Sequence, residues 1–378
     1  MDKHLHIISL DVPYPVDYGG AFDIFYKLKF LKEAGVNIHL HCFINKRLPQ
    51  PELEKYCASI NYYPRQTGHK GLSYQLPYIV SSRNSDELIR NLSKDQYPIL
   101  IEGIHCTHFL HDQKFENQKD RKIVLRLHNV ESVYYRQLFR SSATSLKKLY
   151  FLAESLLLRK YEAGIANKVS LILSVSDQDK DYYKKQFGVR NIANLPVFIG
   201  YEEIKPQDGI GCFCLYHGNL SVPENDKAAR WLSDHVFNDL NIPFVIAGKD
   251  PSEKLKRSIR HKTNTCLVAN PGAEEMTDLI NKAQINILPS MNATGIKLKL
   301  LNVLFNGRHA IVNDATVKGT GFEPACHIAG NANGFKSIVM QLYHKPFTED
   351  ETVLRNKLLN SVFNNRKNAG RLIEWIWS

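Results

Sequence analysis

The apolar positions of the chain fall into short continuous runs that alternate with stretches of helical periodicity. Within residues 1–200 the runs are HIISLD, IHLHCF, PILIEGI, KIVLRLH and VSLILSVS, and helices are predicted near 20–34, 131–163 and 177–187. A second series has the runs CFCLYHG, FVIAGK, TCLVAN, INILPS, HAIVND and CHIAG, with helices near 223–239, 251–262, 273–283 and 296–306. Continuous apolar strands are typical of a parallel sheet covered by helices on both faces.

Between the two series, around LPVFIGYEEIKPQDGIG, the periodicity lapses and prolines and glycines cluster with charged residues. This composition is typical of a domain boundary. The sequence therefore predicts an α/β protein of two tandem Rossmann-like, doubly wound domains that face each other across a cleft. We expect the domains to span 1–200 and 201–360, with residues 361–378 forming a C-terminal helix that crosses back to the first domain. Ligands of doubly wound sheets bind beyond the carboxyl ends of the strands.

Composition and charge narrow the candidates. No apolar run approaches the about 20 residues that span a bilayer, and no signal-peptide core is present, so a cytoplasmic protein is expected. The seven cysteines include no CxxC pair and are interpreted as buried reduced thiols. Residues 1–200 carry 28 lysines and arginines against 20 acidic residues, while the remainder carries 21 against 18. A basic first half favours an anionic partner, which could be a membrane surface, a diphosphate or a nucleic acid.

The stretch LPSMNATGIKLKLLNVLFNGRHAIVND predicts a strand end, a small-residue loop, a helix and a second strand. A helix start after Gly295 would leave unpaired backbone N–H groups and a partial positive charge, which suit a phosphate. A lysine in the first turn opposes the helix dipole, so Lys297 is easier to understand beside an anion than as a solvated side chain. Lys299 is expected to point away from that turn into solvent. Gly307 follows the helix where a C-terminal cap is expected.

In the first half of the chain, two further features lie in loops that follow a strand, as the Gly295 loop does in the second half. Gly19 and Gly20 lie between the first strand and the first helix, where they form either a structural turn or a place at which a ligand approaches the backbone. His128 stands at the carboxyl end of a strand, before a helix capped by Asn129 or Ser132. It is interpreted as a group that hydrogen-bonds a sugar hydroxyl or stabilises phosphate charge, with a capping or core histidine as the alternative.

A run of three aspartates, Asp177, Asp179 and Asp181, resembles a metal-binding motif. Because the run begins a helix and lacks the glycine and distal glutamate of a calcium loop, we interpret it as a helix start capped by Ser176 or Asp177. A longer segment, residues 135–168, interleaves lysine and arginine with leucine and phenylalanine. It is compatible with a basic amphipathic helix on anionic lipid, although a core helix with a solvated face explains the same pattern.

Taken in order, these segments resemble the GT-B type glycosyltransferases, specifically the retaining family 4 that includes bacterial sugar transferases of polysaccharide synthesis. The similarity runs over nearly the whole chain, through PYPVDYGGAFDIFYKLKFLKEAGVNIHL, HNVESVYY, SVSDQDKDYY, HGNLSVPEN, VIAGKDP and the stretch from Leu288 to Asp314. The resemblance implies a hexosyltransferase whose second domain binds a nucleotide-diphosphate sugar. Its first domain would bind a saccharide or lipid-linked acceptor.

The resemblance also implies roles for particular residues. Donor contacts would come from the loop that follows the second domain's first strand, from a basic residue near the diphosphate, and from the loop and helix already described; these positions are Gly218, Asn219, Lys249, Gly295, Ile296 and Lys297. His128 matches a histidine near the reacting sugar. Two glutamates of the family are replaced here by Thr294 and Asn302, and Asn302 can still hydrogen-bond a ribose hydroxyl.

The implied mechanism is glycosyl transfer with retention, in which a helix N-terminus and a lysine stabilise the leaving diphosphate without a metal or other cofactor. Nucleic acid is not expected as a partner. Peripheral contact with the inner face of an anionic membrane is left open, beside the interpretation of residues 135–168 as an ordinary core helix. Two alternatives stay open: a sugar-nucleotide 2-epimerase of the same architecture, and a non-catalytic partner that binds a sugar nucleotide. The replacement of both glutamates motivates the second alternative.

Overall fold

The structure is a computed structural model, and it describes residues 2–116, 120–142, 144–291 and 297–378. The chain forms two compact units. Unit 1 comprises the described residues of 2–200 together with Phe363–Ser378, and unit 2 comprises residues 201–291 and Lys297–Val362. Each unit is built on its own parallel sheet.

Unit 1 contains a seven-stranded sheet of order β3-β2-β1-β4-β5-β6-β7 in which every neighbouring pair is parallel. Its strands are β1 (Lys3–Ser9), β2 (Val36–Ile44), β3 (Ser59–Pro64), β4 (Ile99–Glu102), β5 (Ile123–Leu127), β6 (Leu171–Ser174) and β7 (Ile192–Asn194). The connecting helices are α1 (Gly19–Glu33), α2 (Tyr78–Ser81), α3 (Asp86–Leu92), α4 (Gln113–Glu116), α5 (Glu131–Ser141), α6 (Ser145–Ile165) and α7 (Asp177–Phe187).

Both faces of this sheet are buried, as the continuous apolar runs predict. Along β1, Leu5 and Ile7 belong to one hydrophobic cluster and Ile8 to the cluster on the opposite face. All three side chains are fully buried. The covering helices therefore leave the strand ends as the accessible part of the sheet.

Unit 2 contains a six-stranded parallel sheet of order β10-β9-β8-β11-β12-β13. Its strands are β8 (Cys214–His217), β9 (Phe244–Gly248), β10 (Thr265–Ala269), β11 (Ile285–Leu288), β12 (His309–Val312) and β13 (His327–Ile328). The helices are α8 (Pro223–Trp231), α9 (Glu253–Ile259), α10 (Ala273–Lys282), α11 (Leu298–Asn306), α12 (Asp314–Val317), α13 (Ala332–Leu342) and α14 (Glu349–Leu359).

The last helix of the chain, α15 (Asn365–Trp377), belongs to unit 1. Leu372 and Ile376 are buried in the same cluster as the apolar face of α1. The Asn365 side chain fixes the start of α15, since it accepts a hydrogen bond from the Ile199 backbone N–H at 3.1 Å and donates to the Ile199 carbonyl at 2.7 Å.

Two helices differ from the sequence expectation. The single helix expected over 131–163 is two helices, α5 and α6, because Ser142 and Thr144 adopt extended backbone angles between them. The helix expected over 223–239 is α helical only to Trp231 and continues as one π-helical turn over Leu232–Val236. Within the residues that the structure describes, no helix is both long and apolar enough to cross a bilayer.

Candidate functional site

In unit 1, a cluster of charged side chains lies where β4 and β5 end. Lys27, on the third turn of α1, places its ammonium 2.7 Å from Glu102 Oε1 and 3.2 Å from Asp23 Oδ2. All three side chains are at most 1% exposed. A buried carboxylate is costly unless it is paired and hydrogen-bonded, so this lysine is required by its two partners.

Arg126 and the backbone complete the pairing of Asp23. The Arg126 Nη2 atom lies 3.3 Å from Asp23 Oδ2, and the Phe198 backbone N–H donates to Asp23 Oδ1 at 2.6 Å. Burial by itself raises the pKa of Asp23, but Lys27 and then Arg126 outweigh it and hold this pKa well below its usual range. The pKa of Glu102 is likewise lowered, because Lys27 and His128 outweigh its burial.

His128 lies directly after β5, at the ligand-facing position expected for it. Its Nε2 atom donates to Glu102 Oε2 at 3.0 Å, and its Nδ1 atom lies 3.7 Å from Asp23 Oδ2. The ring is 15% exposed, so one part of it is accessible while Glu102 fixes its orientation. The three side chains could in principle hold a metal ion. The Lys27 ammonium and the Arg126 guanidinium already balance the charges of the two carboxylates, however, so this set does not fit a metal cation.

The prediction that Asn129 or Ser132 caps α5 is wrong. The N-cap residue is Val130, which has no side-chain hydrogen bond, and neither Asn129 nor Ser132 takes that role. Glu162 of α6 replaces the cap, because its carboxylate accepts from the Glu131 N–H at 2.8 Å and the Ser132 N–H at 3.3 Å. A carboxylate at a helix N-terminus satisfies the same donors as a local cap would.

This arrangement places two glutamates together in the interior of unit 1. Burial, followed by the proximity of Glu162, raises the pKa of Glu131 to about 8. Burial also raises the pKa of Glu162 to about 7, although Tyr183 donates a hydrogen bond to it at 3.0 Å. The pair therefore takes up protons near neutral pH, unlike ordinary surface glutamates.

Gly19 and Gly20 are the first two residues of α1, and Gly19 is exposed. The turn before them is held by Arg47, whose Nη1 atom donates to the carbonyls of Val12 and Pro15 at 3.0 and 2.8 Å. The N-cap residue Tyr18 offers no side-chain cap, so the N–H groups of the first turn remain available at the end of a fifteen-residue helix.

Sequence reasoning missed two buried basic groups near this turn. Arg83 is 5% exposed and, within the described part of the chain, donates to two backbone carbonyls, at 2.6 Å to Ile79 and 3.2 Å to Leu10. The Nδ1 atom of His105 is buried without a hydrogen-bond partner among the described residues. Burial, and then the charge of Arg83, lowers the pKa of His105, so the ring is neutral. Nothing in the local sequence around either residue distinguishes it from a surface cation.

In unit 2, the loop after β8 passes close to the end of β9. The Gly218 N–H donates to the Ala247 carbonyl at 3.1 Å, and a Cβ atom on Gly248 would lie 1.8 Å from the Gly218 carbonyl oxygen. Glycine is therefore required at Gly248. The side chain of Asn219 folds back on the loop, since its Oδ1 accepts from the Ser221 N–H at 3.1 Å.

Lys299 differs most from its expected position. It is not a solvated lysine: it is half-buried, its ammonium lies over the Tyr216 ring at 5.2 Å, and it reaches Asn225 Oδ1 at 3.5 Å. Burial lowers the pKa of Lys299 to about 8; Glu224 opposes this shift and Lys297 adds to it. No carboxylate oxygen of a described residue lies within 4.0 Å of this ammonium, so a cation lies at the β8 loop without an ion-pair partner among those residues.

Next to it, His217 ends β8 and its Nε2 atom is buried without a hydrogen-bond partner among the residues described. Burial, followed by the charge of Lys299, lowers the pKa of His217 to about 3. A neutral imidazole and an ammonium thus lie together at the carboxyl end of the strand. The sequence contains His217 in the segment HGNLSVPEN, but no pattern in that segment predicts its burial.

The predicted diphosphate loop is only partly described. Thr294, Gly295 and Ile296 lie outside the described residues. Lys297 is the N-cap residue of α11 and has no side-chain capping bond, so it precedes the first turn instead of lying within it. Gly307 is the C-cap residue, as expected.

The loop that leads toward this region from β11 is held by two residues that the sequence did not indicate. Glu224 Oε1 accepts from the Met291 N–H at 2.9 Å and the Ser290 hydroxyl at 3.2 Å. Asn313, which follows β12, accepts from the Ser290 N–H at 2.9 Å and donates to the Ser290 carbonyl at 2.7 Å. These four contacts fix the end of β11 relative to α8 and β12.

The remaining predicted positions lie at the same edge of the sheet or along α11. Lys249 directly follows β9 and is exposed, while its carbonyl accepts from the Leu220 N–H at 2.9 Å. Asn302 is half-buried on α11, and its Oδ1 accepts from Asn306 at 2.8 Å. Its side-chain oxygen is therefore already engaged one turn along the helix.

The aspartate run is a helix start, as interpreted. Ser176 is the N-cap residue of α7 and accepts from the Asp179 N–H at 3.1 Å, while Asp177 and Asp179 lie in the first turn. Acidic side chains at this position stabilise the helix dipole. The capping interpretation is thus confirmed.

No family model matches the chain. A protein of Klebsiella pneumoniae, named an uncharacterized 44.6 kDa protein in cps region, is 27% identical over 333 residues, which cover 83% of this chain and 84% of that protein.

Solved structures resemble the chain over its full length at low sequence identity. A sucrose-phosphate synthase from Thermosynechococcus elongatus aligns with a TM-score of 0.72 and 14% identity over 99% of both chains. A TarM mutant from S. aureus, in complex with fondaparinux, alpha-GlcNAc-glycerol and UDP, aligns with a TM-score of 0.67 and 10% identity over 100% of both. Anabaena HepE, in complex with UDP and glucose, aligns with a TM-score of 0.66 and 10% identity over 99% of both chains.

These likenesses establish the fold. The two parallel-sheet, Rossmann-like units match the GT-B type, as the sequence predicts. Because the sequence identities are only 10–14%, these comparisons show a shared fold and do not show a shared function.

Proposed function

We propose that the protein is a glycosyltransferase that moves a hexose from a nucleotide-diphosphate sugar to a saccharide or lipid-linked acceptor. The observation that carries this proposal is the half-buried ammonium of Lys299 at the end of β8, with no carboxylate of a described residue within 4.0 Å. A buried cation without an ion-pair partner costs free energy, and an anionic ligand would offset that cost. HepE and TarM, which share the fold, were each solved with UDP.

The donor would bind at the carboxyl edge of the unit 2 sheet. In this proposal the backbone of Gly218 and Asn219 meets the donor, Lys299 and Lys297 face its diphosphate, and Lys249 assists from the end of β9. The start of α11 adds N–H groups that the helix itself leaves unpaired. Thr294, Gly295 and Ile296 are assigned to the same loop on the resemblance to family 4.

Asn302 is proposed to hold the ribose. Its Oδ1 already accepts from Asn306, so the amide NH₂ is the group that would donate to a ribose hydroxyl. A glutamate at this position would instead accept from the ribose. The replacement therefore reverses the direction of the hydrogen bond, and it motivates the non-catalytic sugar-nucleotide-binding partner as the second candidate.

His128 is proposed as the catalytic residue of unit 1, hydrogen-bonding a hydroxyl of the transferred sugar. Glu102 positions the ring through Nε2, so the exposed part of the imidazole presents a fixed atom to the ligand. Gly19 and Gly20 would offer the first N–H groups of α1 to an anionic group of the acceptor. Arg83, buried nearby, would add positive charge to this region, and the neutral ring of His105 could accept or donate a hydrogen bond there.

We propose retention, following the resemblance to family 4, with the charge of the leaving diphosphate stabilised by Lys299, Lys297 and backbone donors. On this account Mg²⁺ and Mn²⁺ are not needed for transfer. The relative in a cps region is consistent with polysaccharide synthesis as the setting. A cytoplasmic location is proposed from the seven cysteines, all of which are free.

A membrane surface is the proposed location of the acceptor. The first turns of α6 expose Leu146 at 84%, Leu149 at 66% and Tyr150 at 40%, and Lys147 and Lys148 are exposed beside them. Apolar side chains flanked by lysines on an exposed helix start suit insertion among anionic lipid headgroups.

The experiment is to incubate the protein with a panel of UDP, GDP, ADP and TDP sugars, with and without candidate glycan acceptors, and to analyse nucleotide and sugar products. Acceptor-dependent release of nucleoside diphosphate, unchanged by added Mg²⁺ or Mn²⁺, supports the proposal. An epimerised nucleotide sugar in the absence of acceptor would support the 2-epimerase instead. Binding without turnover of any donor would support the non-catalytic partner.

A further inference from the structure

Three metal-ligating side chains converge at the opposite edge of the unit 2 sheet, where the strands begin. His309 is the first residue of β12, His327 is the first residue of β13, and Glu351 lies in the first turn of α14. One ligand atom from each lies within 4.8 Å of the others. This edge is the amino end of the parallel strands, whereas the proposed donor site is at the carboxyl end.

The hydrogen bonds of His309 fix which of its nitrogen atoms faces the cluster. Nε2 lies 3.1 Å from the Lys345 carbonyl oxygen, an acceptor, so Nε2 carries a hydrogen. Nδ1 lies 3.2 Å from Glu351 Oε1 and is buried without a hydrogen-bond partner among the described residues. An imidazole lone pair and a carboxylate oxygen therefore face each other, and a proton or a metal cation must lie between them.

The second oxygen of Glu351 is also fixed. Glu351 is the third residue of the capping box of α14, and its Oε2 accepts from the Thr348 N–H at 3.0 Å. Metal-bound histidines and carboxylates are commonly oriented by such outer contacts, a backbone carbonyl on the remote histidine nitrogen being a frequent form. Both His309 and Glu351 have this second layer of contacts.

His327 distinguishes a metal from a proton. Its ring lies edge-on to that of His309, with the centroids 5.8 Å apart, and one of its nitrogens belongs to the cluster. A shared proton needs only two heavy atoms, and it gives the third ligand atom no role. A metal ion uses all three.

The surrounding cavity indicates which class of metal would bind. It has a volume of about 80 Å³, and Cys326 and Arg355 contribute to its lining. The positive charge of Arg355 offsets that of Glu351, so charge attraction alone cannot retain a hard cation such as Mg²⁺ or Ca²⁺. Imidazole nitrogen is a better ligand for Zn²⁺ and the later first-row metals.

We propose that His309, His327 and Glu351 bind one Zn²⁺ or a similar transition-metal ion in a structural site of unit 2. The ion would tie the two-residue edge strand β13 and the start of α14 to β12. Tetrahedral zinc with bonds of about 2.1 Å separates its ligand atoms by roughly 3.4 Å, so a small movement of the His327 side chain closes the set. The fourth position is left for water.

The test measures zinc in the purified full-length chain after dialysis against ZnCl₂ and then against metal-free buffer, by mass spectrometry of the metal and by calorimetric titration. We expect one zinc per wild-type chain and a raised melting temperature that EDTA reverses. His327→Ala and Glu351→Gln should lower zinc affinity at least about 100-fold. His261→Ala, which removes an exposed histidine of the same unit, should leave affinity and melting temperature unchanged.

Folding of the variants is checked by circular dichroism in EDTA, where His327→Ala should match the metal-free wild type. Wild-type protein that retains no more zinc than the variants would overturn the proposal and leave a shared proton between His309 and Glu351. Zinc retained equally by all proteins, His327→Ala included, would overturn it as well, because the metal would then be bound elsewhere. Neither result bears on the proposed transferase function, because the proposed donor site lies at the opposite, carboxyl edge of the sheet.

Discussion

Replacing Lys27 with methionine tests the buried charge cluster that positions His128. The substitution keeps most of the side-chain volume but removes the ammonium that lies 2.7 Å from Glu102 and 3.2 Å from Asp23. Two buried carboxylates would then share Arg126 as their only permanently charged partner in the cluster.

The magnitude follows from those distances. With an effective dielectric constant of about 20, the two contacts correspond to gross attractions of about 6 and about 5 kcal/mol. The desolvation of a buried ammonium, several kcal/mol, is recovered when Lys27 is removed. We therefore expect a net loss of about 3–5 kcal/mol of unfolding free energy at neutral pH, the range typical when one partner of a buried ion pair is deleted.

The loss should also depend on pH. In the wild type the lowered pKa of Glu102 contributes stability that is present at neutral pH and is lost as the pH falls through the folded pKa. In Lys27→Met the effect of burial, which raises the pKa of Glu102, is no longer opposed by this lysine. Glu102 would then be protonated more readily in the folded state, so the deficit relative to wild type should shrink from about pH 8 to about pH 5.

Urea denaturation at several pH values measures both effects, with Lys32→Met, which removes an exposed lysine of the same helix, as the control. The control should change the unfolding free energy by less than about 0.5 kcal/mol. If Lys27→Met lowers the unfolding free energy by less than about 1 kcal/mol, or by the same amount at pH 5 and pH 8, this lysine does not stabilise the two carboxylates and the reasoning is wrong.

Three further outcomes are expected. Gly248→Ala should lower the unfolding free energy by about 3 kcal/mol or more, because its Cβ atom would lie 1.8 Å from a backbone carbonyl oxygen. Gly330→Ala, whose Cβ atom would have no atom within 4 Å, should leave the melting temperature nearly unchanged. Glu131→Gln should raise the unfolding free energy at pH 8 by about 1 kcal/mol or more, because the raised pKa of Glu131 makes wild-type stability fall as the pH rises from about 4.5 to 8; an unchanged pH profile would refute this. Serine at both Leu146 and Leu149 should reduce co-sedimentation with anionic vesicles several-fold at low salt, and equal binding of wild type to neutral and anionic vesicles would remove the membrane proposal.

The strands were predictable because a doubly covered parallel sheet needs continuous apolar runs, and each run is long enough to be read without its neighbours. The position of His128 followed from the same logic, since a residue directly after such a strand lies at the edge where ligands bind. The Ser176 cap was predictable because capping is local to one helix turn. These features depend on residues that are near one another in the sequence.

Features that depend on distant residues were not predictable in this way. The start of α5 is capped by Glu162, thirty-one positions after Glu131, so a search among adjacent residues could find only Asn129 and Ser132. Lys299 was expected in solvent because helical spacing gives a direction but not the neighbour toward which the side chain turns. Its contacts with Tyr216 and Asn225 depend on how α11 packs against β8 and α8.

The metal-ligating cluster illustrates the same limit. His309, His327 and Glu351 are separated by 18 and 24 positions, which is not a spacing that any short motif describes. Only the parallel pairing of β12 with β13 and the docking of α14 bring them together.

The central claim is that the donor diphosphate binds beside Lys299. Calorimetric titration with UDP, GDP, ADP and TDP tests it most directly, when wild type is compared with Lys299→Met and Lys357→Met. The control Lys357 is an exposed lysine of α14 in the same unit. We predict that at least one nucleoside diphosphate binds and that Lys299→Met weakens it by roughly 10- to 150-fold, the equivalent of about 1.5–3 kcal/mol for a charge-assisted contact, while Lys357→Met binds as wild type does. Absence of binding by all four nucleotides, or equal affinity of Lys299→Met and wild type, would contradict the assignment of the donor site.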